Sequence, residues 1–394
     1  MAEKKKILYI VEAMGGGVFT YIVDLANELV NSYDMYIAYA VRKQTPENYK
    51  DYFDKRIHLI EVKNFGRAID PAKDIAAFFE VKKIAAKIEP DVIHLHSSKA
   101  GVIGRVAFNG KIPTFYTPHG YSFLMENYKP MKRRMFKLIE SVCAKRNCMT
   151  ISCSVGENQE SLKLTKRATY VNNGINMAEL QEIIDKTEKV EHPFTVYTLG
   201  RICYQKNPTL FNEIAESLPD VKFVWIGDGE LRGELTSKNI EITGWVDRSA
   251  AIRYAVNADV FLLPSRWEGL PISLLESMYM KKICVVSDVI GNRDVIHNGE
   301  NGFVCTKAED FVKVIEECRC EDEKLTERAY QDILKMYNTK VMAQMYSQKY
   351  ENALNERGGV RHDLICSIAV VRPYTLAYSV SVELVHCVAA KAVA

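Results

Sequence analysis

The stretch Asp259-Val260-Phe261-Leu262-Leu263-Pro264-Ser265-Arg266-Trp267-Glu268-Gly269-Leu270-Pro271-Ile272-Ser273-Leu274-Leu275-Glu276 decides the fold. Its apolar run, 260–263, reads as a strand buried on both faces, hence a strand of a parallel sheet. Pro271 suits the first turn of a helix, where its missing N–H costs nothing. Glu268 therefore falls in the loop at the strand's carboxyl end, and Glu276 one to two turns into the next helix. Ligands of open α/β sheets bind in the crevice outside those strand ends. Two carboxylates flank a helix N-terminus there, whose backbone N–H groups receive anions. The arrangement suits a ligand with both hydroxyls and phosphates.

The same alternation extends outward from this point. Strand-like runs stand at 7–12, 35–40, 58–62, 91–96, 113–117, 149–154 and 170–172. Helical periodicity fills 18–30, 71–88, 100–108 and 131–148. A polar stretch, 176–192, interrupts the pattern. A second series then has strands at 195–199, 222–226, 240–243, 260–263 and 283–287, with helices at 207–217, 230–237, 250–256, 271–280 and 308–317. Strands alternating with helices imply doubly wound parallel sheets, here two of them. The expected domains are 1–174 and 193–321, followed by helices at 322–355 that pack back toward the first domain. Residues 357–394 hold apolar runs without partner elements. They read as a disordered extension or a non-native tail, with a membrane-seeking tail as the other reading.

At 394 residues the chain is long for one core, and 47% hydrophobic with 26% charged residues is ordinary for a soluble α/β protein. The net charge of +2 hides an asymmetry: residues 1–170 hold 27 Lys and Arg against 18 Asp and Glu, leaving 25 against 32 in the remainder. A basic first half suggests that it faces something anionic, such as a membrane surface. The ten cysteines lack C-x-x-C spacing, and Cys318-x-Cys320 is too close for a zinc knuckle. The N-terminus leads straight into a strand-like run, so reduced thiols and a cytoplasmic location are expected. No stretch approaches the roughly 18 apolar residues of a spanning helix.

Further signals follow the strands of the second half in order. Gly200-Arg201-Ile202-Cys203-Tyr204-Gln205-Lys206 brings a planar donor fork and a point charge to one loop, a combination suited to diphosphate. Gly227-Asp228-Gly229 makes a tight turn that lets backbone approach a ligand closely. Thr243-Gly244-Trp245 offers a place for a nucleotide base. In the first half, Gly15-Gly16-Gly17 opens a helix whose amides can face phosphate. His94-x-His96, Ser98-Lys99-Ala100-Gly101 and Thr117-Pro118-His119-Gly120 lie at other strand ends. The histidines at 94 and 96 fit a structural role at least as well as a catalytic one.

This ordered set resembles the retaining nucleotide-sugar glycosyltransferases of family 4, over roughly residues 5–350. The resemblance implies the GT-B fold, two Rossmann-like domains facing across a cleft. It implies that Glu276 holds the ribose hydroxyls and Glu268 contacts the donor sugar. The backbone of Gly269 and Leu270 supports sugar or phosphate, and Arg201 and Lys206 neutralise the diphosphate. Gly16, Gly17, Gly200, Gly227, Gly229 and Trp245 complete the donor site. His119 would stand beside the reacting sugar, and Gly15, His96, Lys99 and Arg105 on the acceptor side. No metal and no cofactor are implied.

Transfer with retention would proceed by front-face attack of the acceptor hydroxyl, assisted by the departing phosphate. One departure concerns the family's glutamate near Gly291, where Asn292-Arg293-Asp294 stands and Asp294 is the available substitute. Another is Lys281-Lys282-Ile283 in place of Gly-x-Pro, a turn variant. The residues at 98–101 and 117–123 look like members that build capsule or O-antigen repeat units on a polyprenyl-diphosphate-linked glycan, with a UDP-sugar as donor. The basic helix starting at 129, with Lys132, Arg133, Arg134 and Lys137, reads as a membrane-surface patch or as a solvated face. A GT-B nucleotide-sugar 2-epimerase and a non-catalytic nucleotide-sugar-binding subunit are the alternatives. Nucleic-acid binding finds no aromatic-basic platform.

Overall fold

The apolar runs of the first half lie side by side in one parallel sheet in the computed structural model, which describes residues 3–357 apart from 43–44, 67–69, 109, 111 and 320–322. Cys320 and all of the expected tail but Arg357 lie outside the described residues. The first lobe runs β1 (Lys6–Met14), α1 (Gly16–Leu29), β2 (Asp34–Val41), β3 (His58–Glu61), α2 (Pro71–Ile88), β4 (Val92–His96), α3 (Ser98–Ala107), β5 (Thr114–Thr117), α4 (Pro130–Cys143), β6 (Met149–Ser152), α5 (Val155–Leu162) and β7 (Ala168–Tyr170). Its strand order is β3-β2-β1-β4-β5-β6-β7.

The second lobe runs α6 (Met177–Asp185), β8 (Thr195–Leu199), α7 (Pro208–Ser217), β9 (Lys222–Ile226), β10 (Ile240–Ile242), α8 (Arg248–Val256), β11 (Val260–Leu263), α9 (Ile272–Tyr279), β12 (Ile283–Ser287), β13 (Phe303–Cys305), α10 (Ala308–Glu317) and α11 (Glu323–Met336). Its sheet, again parallel, has the order β10-β9-β8-β11-β12-β13. A last helix, α12 (Thr339–Arg357), follows.

Helices cover both faces of each sheet, which is why the strands are apolar without alternation. Along β1, Ile7, Tyr9 and Val11 meet α1, while Leu8 and Ile10 meet Ala77 and Val81 of α2. In the second lobe Phe261 and Leu263 pack with α9 and α11, and Val260 and Leu262 with Phe211 and Ile214 of α7. Helix α12 leaves the second lobe and fills the first lobe's core with Met342, Ala343, Tyr346 and Tyr350. Buried hydroxyl contacts seat it: Tyr21 donates to Tyr346 at 2.5 Å, the hydroxyls of Tyr9 and Tyr350 lie 3.1 Å apart, and Tyr350 also meets His94 Nδ1 at 2.6 Å.

Several elements differ from the sequence reading. Residues 230–237, expected as a helix, hold only the 3-10 turn Arg232–Glu234. Gly233 costs a helix interior about 1 kcal/mol, and the Asn212 side chain claims the amides of Thr236 and Ser237. The polar stretch 176–192 contains α6, capped by Asn176 and held down by buried Leu180. The helix expected over 131–148 ends at Cys143. α5 and β13 are too short to show a period in sequence.

Tyr346→Ala is expected to cost about 3–5 kcal/mol of stability by leaving a cavity in the first lobe. Tyr346→Phe, which loses only the hydroxyl contact, should cost about 1 kcal/mol. Urea unfolding followed by fluorescence checks both.

Candidate functional site between the lobes

Strand order in the second sheet changes direction between β8 and β11, so the loops after these strands flank its crevice. Lys206 and Glu268 meet there. Lys206 Nζ lies 2.7 Å from Glu268 Oε1, with both side chains largely shielded from solvent. Gln205 Nε2 donates to the Trp267 carbonyl at 2.9 Å and to Glu268 Oε2 at 3.3 Å. Asn207, at φ +55°, donates to the Pro264 carbonyl. Gly200 (φ +145°) leaves room for the lysine stem: a β-carbon there would stand 3.3 Å from Lys206 Cε.

Gly227 and Gly229 lie against the loop after β8. Side chains there would collide with the neighbouring loop, since a β-carbon would lie 2.3 Å from the Gly200 carbonyl and 2.1 Å from that of Ile202. They admit the backbone of that loop. Arg201 takes Glu230 as its partner, 2.8 Å away, rather than Glu268. Trp245 is two-thirds exposed on the loop after β10.

Glu276 is buried on α9, and Arg248 Nη1 from α8 stands 2.6 Å from its Oε1. Glu179 of α6 takes the Arg248 Nε at 3.2 Å. Asp24 of α1 belongs to the same charged group and is 4% exposed, with Oδ2 lacking a hydrogen-bond partner. Burial pushes its pKa up to about 7; Arg248 opposes the shift, and Glu179, Glu276 and Glu28 add to it.

In the first lobe, Gly15 precedes α1 and Gly16 stands at φ +57°. β-carbons added at Gly16 or Gly17 would meet nothing within 4 Å, so these glycines face open space. That is the opposite of Gly227 and Gly229, and it leaves the N-terminus of α1 open to an anion. His119 sits at φ +54° with both ring nitrogens engaged, Nε2 with His96 Nδ1 at 3.0 Å and Nδ1 with Cys153 Sγ at 3.5 Å. Burial lowers its pKa to about 3 and those of His94 and His96 well below 6.5, so all three rings are neutral at neutral pH. Gly269 of the second lobe lies against this turn, where a β-carbon would stand 3.6 Å from the Gly120 nitrogen. The Leu270 carbonyl accepts from Asn173 at 2.7 Å.

Three expected acceptor contacts point elsewhere. His96 is fully buried and touches His119, so it backs the site instead of lining it. Lys99 pairs with Asp74 at 2.7 Å and donates to the Gly66 carbonyl. Arg105 is a core cation, 1% exposed, held by Glu140 at 2.7 Å and stacked 4.1 Å from the Tyr116 ring centre. Sequence reading missed Arg248, Asp24 and Glu157. The spacing Ser154-Val155-Gly156-Glu157 is a helix-start signature that points to Glu157 and α5; a lone Arg or Asp on a helix carries no comparable signal.

Comparison with known proteins agrees with this geometry. The sequence model described as Glycosyltransferase Family 4 matches residues 15–179, and that of Glycosyl transferases group 1 matches 180–334. The chain belongs to the family 4 glycosyltransferases. It is 31% identical over 287 residues to the UDP-Gal:alpha-D-GlcNAc-diphosphoundecaprenol alpha-1,3-galactosyltransferase of Escherichia coli, covering 64% of this chain and 72% of the relative. It is 27% identical over 325 residues to the N,N'-diacetylbacillosaminyl-diphospho-undecaprenol alpha-1,3-N-acetylgalactosaminyltransferase of Campylobacter jejuni, covering 74% and 85%. Among solved structures, Anabaena HepE in complex with UDP and glucose superposes with a TM-score of 0.70 at 16% identity, over 88% of this chain and 99% of that one. The glycosyltransferase thus has the GT-B fold.

The buried Asp24 makes its stability depend on pH. The raised pKa means that the folded enzyme holds the Asp24 proton more tightly than the unfolded chain. Its contribution is present at low pH and lost as pH rises toward 7. Asp24→Asn should therefore raise the Tm most at pH 8, with the gain shrinking toward pH 4; equal gains at both would contradict the assignment.

Proposed function

We propose that the enzyme transfers a sugar, with retention and without a metal, from a UDP-sugar to a hydroxyl of a polyprenyl-diphosphate-linked glycan. The Lys206–Glu268 contact at the crevice of the second lobe carries this reading. It holds a cation and a carboxylate together where a diphosphate and its sugar would lie. Lys206 and Arg201 balance the charge that develops on the leaving diphosphate. Glu276 accepts from the ribose hydroxyls, which requires it to share its carboxylate with Arg248. The open Gly15-Gly16-Gly17 loop receives phosphate or acceptor from the opposite lobe. His119 is neutral, and its turn, rather than a charged imidazolium, borders the sugar. The names of the Escherichia coli and Campylobacter jejuni relatives support the acceptor class.

The acceptor reading includes a lipid surface. Helix α4 leaves Met131, Met135, Leu138 and Val142 exposed along one face, Met131 at 80% and Leu138 at 65%. Exposed Lys132, Arg134 and Lys137 flank this stripe. Apolar residues beside cations suit shallow seating on an anionic leaflet. Among the described residues, no helix is long and apolar enough to cross a membrane.

In thermal-shift titrations UDP should stabilise the wild type, by about 2.7 kcal/mol at one hundred times its Kd. GDP and dTDP should do less, and Glu276→Ala and Arg201→Ala should remove the shift. No stabilisation by any nucleotide would sink the donor assignment. For the lipid surface, flotation with phosphatidylglycerol vesicles should recover the wild type. The triple change Lys132→Glu, Arg134→Glu, Lys137→Glu should abolish recovery, at about 1 kcal/mol per charge. Unchanged recovery rejects the patch.

A further inference from the structure

The two lobes meet at a carboxylate. Asp294 follows β12 in the second lobe, where the sequence offers it as the substitute for the family's glutamate. Its Oδ2 accepts the Gly291 amide of its own loop at 3.2 Å and, from the first lobe, the Gly156 amide in the first turn of α5 at 2.9 Å. A β-carbon on Gly156 would stand 2.7 Å from that oxygen, so the contact tolerates no side chain there.

The next residue carries the contact onward. Glu157 is buried; its Oε1 accepts the Gly120 amide and its Oε2 the Cys153 amide, each at 2.7 Å. These bonds grip both sides of His119, whose Nδ1 rests on the Cys153 thiol. His119 (φ +54°) and Gly120 (φ +91°) form a left-handed pair, a conformation that a histidine holds only when its surroundings impose it. On the second lobe, Gly269 follows Glu268 and lies against that pair. Gly291 in turn lies under Gly269, where a β-carbon would stand 2.3 Å from its carbonyl oxygen.

We infer that Asp294 and Glu157 are positioning residues. Asp294 fastens the second lobe to the start of α5, and Glu157 converts that contact into the placement of the His119–Gly120 turn against Gly269. Each of the two carboxyl groups accepts two backbone amides at once, so the relay is held at four points. This inference deepens the transfer reading and rests on it for its catalytic consequence alone.

The test is amide hydrogen exchange on the full chain without ligand, followed by assays with UDP and UDP-galactose. Asp294→Ala should raise exchange tenfold or more at Gly156 and also at Gly120 and Cys153. Asp294→Asn, which keeps an acceptor oxygen, should restore most of the protection. Turnover of UDP-galactose should fall at least tenfold in Asp294→Ala, while its KM and the Kd for UDP stay within threefold. Faster exchange confined to Gly156 would reduce Asp294 to a local cap and overturn the relay. A selective tenfold loss of affinity for UDP-galactose, with UDP unaffected, would make Asp294 a donor contact and overturn it too. The exchange arm needs no nucleotide, so a failure of UDP to bind would sink the transfer reading while leaving the relay result standing.

Discussion

The loop after β9 packs backbone to backbone on the loop after β8, and the loop after β12 does the same on the loop after β11. Gly227 meets the Gly200 carbonyl, Gly229 that of Ile202, and Gly291 that of Gly269, each at a distance that a β-carbon would violate. Backbone packed on backbone leaves these loops little room to shift. The Lys206–Glu268 contact inherits that restraint, because Gly200 opens the path of the lysine stem and Asn207 ties its loop to Pro264. Sites built this way hold their charges in place before the ligand arrives, so little reorganisation remains for the reaction itself.

Charge is distributed with the same economy. Arg105 faces Glu140 in the core, Lys206 faces Glu268, and Arg248 is shared between Glu276 and Glu179. A buried ion pair contributes little net stability, but removing one partner strands the other. Asp24 is the exception: its Oδ2 is unpartnered, and its acid is shifted to near neutrality. That imbalance lies beside the carboxylate proposed for the ribose hydroxyls.

The strand–loop–helix reading around Glu268 and Glu276 matches β11 and α9, because a four-residue apolar run followed by Pro271 has few other meanings. Both sheets were legible for the same reason of periodicity. Orientation was not. Nothing in Thr117-Pro118-His119-Gly120 says that the imidazole turns inward to His96, because that depends on a partner 23 residues away and on a left-handed backbone. Arg105 looks like any helical arginine until Glu140 is packed against it. Glycine likewise gives no hint whether its empty side faces open space, as at Gly16, or a neighbouring loop, as at Gly227.

The return of α12 has a consequence for biosynthesis. The first lobe's core is closed by Tyr346 and Tyr350, which leave the ribosome some 170 residues after β7 ends at Tyr170. An emerging polypeptide can form the seven-stranded sheet early, but its α1 face stays uncovered until Tyr350 has been made. For this enzyme, therefore, the amino-terminal half is the last to be finished, and the interval is one in which a chaperone has apolar surface to hold.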